Sequence, residues 1–117
     1  MTAPNIVSPT SIVLRQASTT VGTAAITVVT CATDRAIKLS TLVASNVHGS
    51  STGEVTIQVT NGAATHAVCS TVSVPADASL IVIDSNSPLY LEEGGRVLAF
   101  ASASATIQIV CSYEEIA

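Results

Sequence analysis

Along most of this chain, apolar and polar residues alternate with a period of two, and Gly, Asn, Asp and Pro cut the pattern at intervals. No window sustains the 3.6-residue period of an amphipathic helix, so the chain reads as all-β. Glu54-Val55-Thr56-Ile57-Gln58-Val59-Thr60 puts three aliphatic residues on one side of a strand and polar residues on the other. The segment 106–113 repeats the device, with Ile107, Ile109, Cys111 and Tyr113 facing one way. Strands with one apolar and one polar face belong to antiparallel sheets, which tolerate water on one side. Further strands are expected at 11–15, 25–31, 36–45, 67–74, 80–84 and 96–103, about eight in all. Asn61-Gly62 and Glu92-Glu93-Gly94-Gly95 carry hairpin chemistry, because Asn and Gly accept the positive φ that tight turns require.

This spacing predicts an antiparallel β-sandwich, immunoglobulin-like or jelly-roll, as one domain over residues 11–117. A trimeric β-prism, with sheets completed by neighbours, has the same strand pattern. Residues 1–10 contain Pro4 and Pro9 without alternation and read as an extended N-terminal arm. That arm is the expected partner-binding element, made of Thr2, Ala3, Pro4, Asn5, Ile6, Val7, Ser8, Pro9, Thr10 and the adjoining Ser11. It lacks the basic residues and apolar run of a secretory signal, so synthesis and retention in a cytoplasm are expected.

Charge sets the second constraint. The chain is 48% hydrophobic but only 10% charged, whereas surfaces designed for solubility carry roughly 25–35% charged residues. Edge strands of soluble β-proteins are commonly guarded by Lys, and Lys38 is the sole lysine here. The polar residues expected on strand faces are uncharged, Thr27, Thr56, Gln58, Thr60, Thr106 and Gln108 among them. With 3% aromatic residues and no Trp, the core must be built from small aliphatic side chains, and burial between subunits would supply what it lacks. These observations predict a homo-oligomer. A net charge of −4 and four scattered basic residues, Arg15, Arg35, Lys38 and Arg96, exclude a nucleic-acid binder. No apolar run is long enough for a membrane-spanning helix.

The residues that could do chemistry do not form a constellation. His48 and His66 sit in or beside polar turns without a supporting motif, and both read as surface residues. Glu92-Glu93 and Glu114-Glu115 are adjacent pairs, whose side chains point to opposite faces of a strand, unlike the opposed carboxylates of a glycosidase. Cys31, Cys69 and Cys111 are far apart in apolar runs and read as buried free thiols. No catalytic residue, metal site or cofactor is expected.

Three segments carry a resemblance: 37–47 (Ile37-Lys38-Leu39-Ser40 onward), 74–84 (Val74-Pro75-Ala76-Asp77-Ala78 onward) and 88–97 (Pro88-Leu89-Tyr90-Leu91-Glu92-Glu93-Gly94-Gly95-Arg96-Val97). With the ending Cys111-Ser112-Tyr113-Glu114-Glu115-Ile116, they resemble small virion structural proteins of tailed bacteriophages. Such relatives are expected to place Gly-Asp before the strand that begins at Arg96, where this chain has Gly94-Gly95. The resemblance implies a non-enzymatic capsid cement or decoration protein, a trimer that reinforces contacts between major capsid subunits. It would be located in the virion and made in the host bacterial cytoplasm. A neck, collar, tail or baseplate component is the alternative, and a carbohydrate or host-surface binding module is the alternative of another class.

Overall fold

A computed structural model describes residues 11–102 and 107–117. Among the described residues, nine strands follow one another: β1 (Ile12–Val21), β2 (Ile26–Thr30), β3 (Ala36–Asn46), β4 (Gly53–Thr60), β5 (Thr65–Val74), β6 (Ser79–Ile83), β7 (Leu89–Leu91), β8 (Arg96–Ala101) and β9 (Ile107–Ile116). They form two antiparallel sheets. The first has the order β1-β9-β3-β6, with β7 also paired to β3, and the second has the order β2-β8-β4-β5. The chain changes sheet at nearly every connection, and this double Greek-key winding is the jelly roll. The immunoglobulin alternative is thereby excluded.

Alternation builds the core. Ile37, Leu39, Leu42, Ile107 and Ile109 from the first sheet meet Val55, Ile57 and Val97 from the second, all fully buried. A register shift between Leu39 and Thr41 inserts one extra residue in β3. It lets Leu39 and Leu42, three positions apart, both face inward. Among the described residues, no aromatic side chain is fully buried in the core, and Phe100 and Tyr113 pack against it from its margin.

Expectation and structure part at several elements. The first strand continues past Arg15 to Val21, where Ser18, Thr19 and Thr20 made the alternation faint. Three-residue β7 had no counterpart in the expected set. The Asn61-Gly62 hairpin exists, with a four-residue loop in which Asn61 Oδ1 accepts from the Ala63 and Ala64 N–H groups. The expected hairpin at 92–95 is instead a corner between sheets, since β7 pairs with β3 while β8 pairs with β2 and β4. Gly94 takes φ 77° there. A Cβ on Gly95 would lie 3.0 Å from the Glu92 carbonyl oxygen, so the absence of the expected Asp has a local steric reason.

One polar residue is built into the core. Asn46, 2% exposed at the end of β3, donates from Nδ2 to the carbonyls of Ser51 (2.8 Å) and Val74 (2.9 Å). Its Oδ1 accepts from the His48 N–H at 2.9 Å. Asn46 thus ties β3, the 47–52 loop and the end of β5 together.

Candidate assembly surface

The outward face of the first sheet follows from register. Read across the strands, one row is Ser79, Ser45, Gln108 and Thr20, and the next is Ile81, Val43, Val110 and Ser18. Thr41, Ser112 and Gln16 come next, and Tyr90, Lys38, Glu114 and Leu14 lie beyond them. Among the described strand residues, this face holds one cation and one anion, Lys38 and Glu114, and they are cross-strand neighbours. Its apolar members stand in solvent: Ile81 is 65% exposed, Val110 42%, Leu14 76% and Ile12 55%. A broad, nearly charge-free sheet face with several exposed aliphatic residues is the composition of a docking surface.

The opposite sheet is less open than its sequence implied. Thr56 and Thr60 are buried, and their hydroxyls are used internally. Thr56 Oγ1 accepts from the N–H of Thr71, a residue at φ 51°, and Thr60 Oγ1 accepts from Gly62 and donates to the Ala64 carbonyl. These two threonines hold a bulge and a turn. Thr106, also named in that group, falls outside the described residues.

The remaining candidates are dispersed. Thr2, Ala3, Pro4, Asn5, Ile6, Val7, Ser8, Pro9 and Thr10 lie outside the described residues. Ser11 sits at the foot of β1, exchanging hydrogen bonds with Ala117. His48 is an exposed loop residue whose Nδ1 accepts from the N–H groups of Ser50 (3.1 Å) and Ser51 (3.0 Å). His66 is exposed on β5. Glu93 accepts the Asp34 N–H at 2.7 Å, joining the corner at 92–95 to the loop after β2. Glu114 and Glu115 lie within β9 and point to opposite faces, and Glu115 pairs with Arg15 Nε at 3.1 Å on the inward side. Tyr90, 65% exposed, lines an open cleft of about 300 Å³ together with His66, Asn61, Glu92 and Glu93. Among the described residues, no group of His, Cys, Asp and Glu is arranged to hold a metal ion.

The cysteines divide. Cys31 and Cys111 are buried, but Cys69 is half-buried, which corrects the expectation of three buried thiols. Burial raises the pKa of each above 9.0, the ordinary value here; at Cys31 the carboxylates of Glu115 and Glu93 add to it. The protonated thiol is therefore favoured in the folded chain. Its stabilising contribution is complete below the unfolded pKa and is lost as pH rises through the higher folded one. At pH 7, a thiol-specific reagent should label Cys69 faster than the other two, and all three should react at once in denaturant. Native Cys31 or Cys111 reacting as fast as Cys69 would contradict this burial.

No protein-family model and no curated protein sequence matches the chain. Among solved structures, it is similar to a protein of Bacillus endospore appendages, described as a novel family of disulfide-linked pili. That likeness has a TM-score of 0.57 at 19% identity, over 91% of this chain and 88% of the other. A pentameric capsid protein isolated from metagenomic phage sequences aligns over 84% of this chain and 58% of its own, with a TM-score of 0.44 and 16% identity. The appendage likeness establishes a shared fold, and the looser capsid likeness adds nothing to it. Function must be argued from the surfaces of this chain.

Proposed function

We propose that this chain is a structural subunit of a virion, a capsid cement or decoration protein that oligomerises and reinforces contacts between major capsid subunits. The observation that carries this reading is the outward face of the first sheet, where exposed aliphatic residues accompany a single Lys–Glu neighbour pair. In this reading the face rests on the shell. Stable interfaces bury roughly 1,200–2,000 Å² in total, and a five-stranded sheet face contributes to that scale without need of a pocket. The appendage protein lends support as a chain of similar fold that belongs to a pilus of endospore appendages. Its disulfide linkage does not carry over, because the described thiols of this chain are buried or half-buried.

Residues 1–10 serve in this proposal as an arm that reaches a neighbouring subunit, with residues 11–117 as the sandwich domain. The two parts are separable by experiment. A chain lacking residues 2–10 should keep its β-rich circular dichroism and thermal midpoint while its occupancy on particles falls at least tenfold. Full occupancy of the truncated chain would remove the arm from the mechanism. Copy number distinguishes the capsid from the neck, collar, tail or baseplate: hundreds per particle belong to a capsid, and a handful belong to the tail.

A further inference from the structure

We propose that β1 is the pairing edge of this subunit, joining antiparallel to β1 of a second copy across a two-fold axis at Gln16. This proposal rests on the assembly reading above and names the partner at one of its surfaces.

A sheet edge offers unpaired N–H and C=O groups to any strand that can approach, and folded proteins blunt such edges by shortening, bulging or charging them. Three of the edges here are blunted. On the far side of the first sheet, β6 has five residues and β7 three. In the second sheet, β2 has five residues with a register shift between Thr27 and Val29. Strand β5 is longer, but its pairing to β4 shifts twice, and Thr71 stands at φ 51° within it. The β1 edge is different. It pairs with β9 through ten consecutive residues without a shift, and no described strand lies on its other side.

Which groups of β1 face outward follows from its first residue. Ser11 donates to the Ala117 carbonyl at 3.1 Å and accepts from the Ala117 N–H at 2.9 Å, so these two form a mutually bonded pair. In an unbroken antiparallel ladder, bonded and non-bonded pairs alternate. Val13, Arg15, Ala17, Thr19 and Val21 therefore turn their backbone groups toward β9. Ile12, Leu14, Gln16, Ser18 and Thr20 turn theirs to the open edge.

These five residues are self-complementary in one register. With Gln16 on the axis, Gln16 pairs with Gln16 of the second copy, Leu14 with its Ser18 and Ile12 with its Thr20. Every outward N–H and C=O of both strands then has a partner. Charge permits the approach, because the one ionised side chain of β1, Arg15, lies opposite Ala17 and is already held by Glu115 of its own copy. The side chains argue for it as well. Ile12, Val13 and Leu14 form a consecutive exposed apolar run, and pairing covers it from the side. The paired sheets also bring the two low-charge faces into one continuous surface. A two-fold pair takes the place of the trimer expected from the sequence.

The test uses the full chain and four variants. Gln16→Pro and Ser18→Pro each remove an outward N–H while leaving the bonds to β9 intact, a placement that proline tolerates at an edge. Both should keep β-rich circular dichroism and weaken the dimer at least tenfold in sedimentation equilibrium. Gln16→Cys should give a covalent dimer with copper phenanthroline and dioxygen as oxidant, because the two residues meet at the axis. Thr20→Cys should give none above the unsubstituted chain, since the two copies of residue 20 lie far apart. Association of the unsubstituted chain with no Gln16→Cys cross-link, or with equal cross-linking at both positions, would overturn the pairing and leave the assembly reading standing. A chain that stays monomeric at high concentration would overturn both.

Discussion

Asn46→Ala should destabilise the fold by about 3–5 kcal/mol, as much as a large core truncation. The side chain satisfies two buried or half-buried carbonyls, those of Ser51 and Val74, and one amide, that of His48. Removing it leaves these partners without Asn46, the Val74 carbonyl in a buried place and the other two in part-buried ones. A buried polar group left unpaired costs about 1–3 kcal/mol, and here three are affected together. A core truncation such as Ile57→Ala costs about 2–5 kcal/mol by the loss of packing alone. The two differ in where the damage appears. Loss of Asn46 should raise amide exchange in the 47–52 loop and at the end of β5 beyond the rise that global destabilisation produces. Urea denaturation would check the magnitude, and a cost below about 1 kcal/mol would show that water replaces the amide.

Asn46 also marks what the sequence could and could not reveal. The inward positions Ile57, Ile107, Ile109 and Cys111 were legible because each alternates with a polar neighbour within its own strand. Asn46 occupies an inward position at the end of β3, and its reason for being there lies in a carbonyl 28 residues away. Local pattern carries no such information. The corner at 92–95 shows the same limit, since its turn chemistry is local while the sheet each flank joins is set by distant pairing. The low charge of the chain was visible in composition, and it pointed to Thr- and Gln-lined faces. Long-range register decided which face: Thr56 and Thr60, on the outer side of β4, are buried and hold a bulge and a loop, while Val43, Ile81 and Val110 came together from three strands. An exposed row assembled from β3, β6 and β9 has no contiguous trace in the chain.

That row gives the other large expected effect. Val110→Glu and Ile81→Lys should each weaken attachment to particles about 100-fold or more while leaving the isolated subunit's stability within about 0.5 kcal/mol. The fold should tolerate both because these side chains already stand in solvent at 42% and 65% exposure. In a covered interface, each would instead bury an unpaired charge, at a cost of about 3–5 kcal/mol. The sites differ in strand and in introduced sign, so a common loss of binding would reflect burial rather than attraction or repulsion by one charged neighbour. The cross-strand pair Lys38–Glu114 provides a contrast at the same face. Replacing both with Gln should change attachment little, because their opposite charges already sum to zero locally. Binding measured by sedimentation of particles with added subunit would separate these cases. Retained attachment of Val110→Glu and Ile81→Lys would move the docking surface away from this sheet, to the edges or to the 1–10 arm.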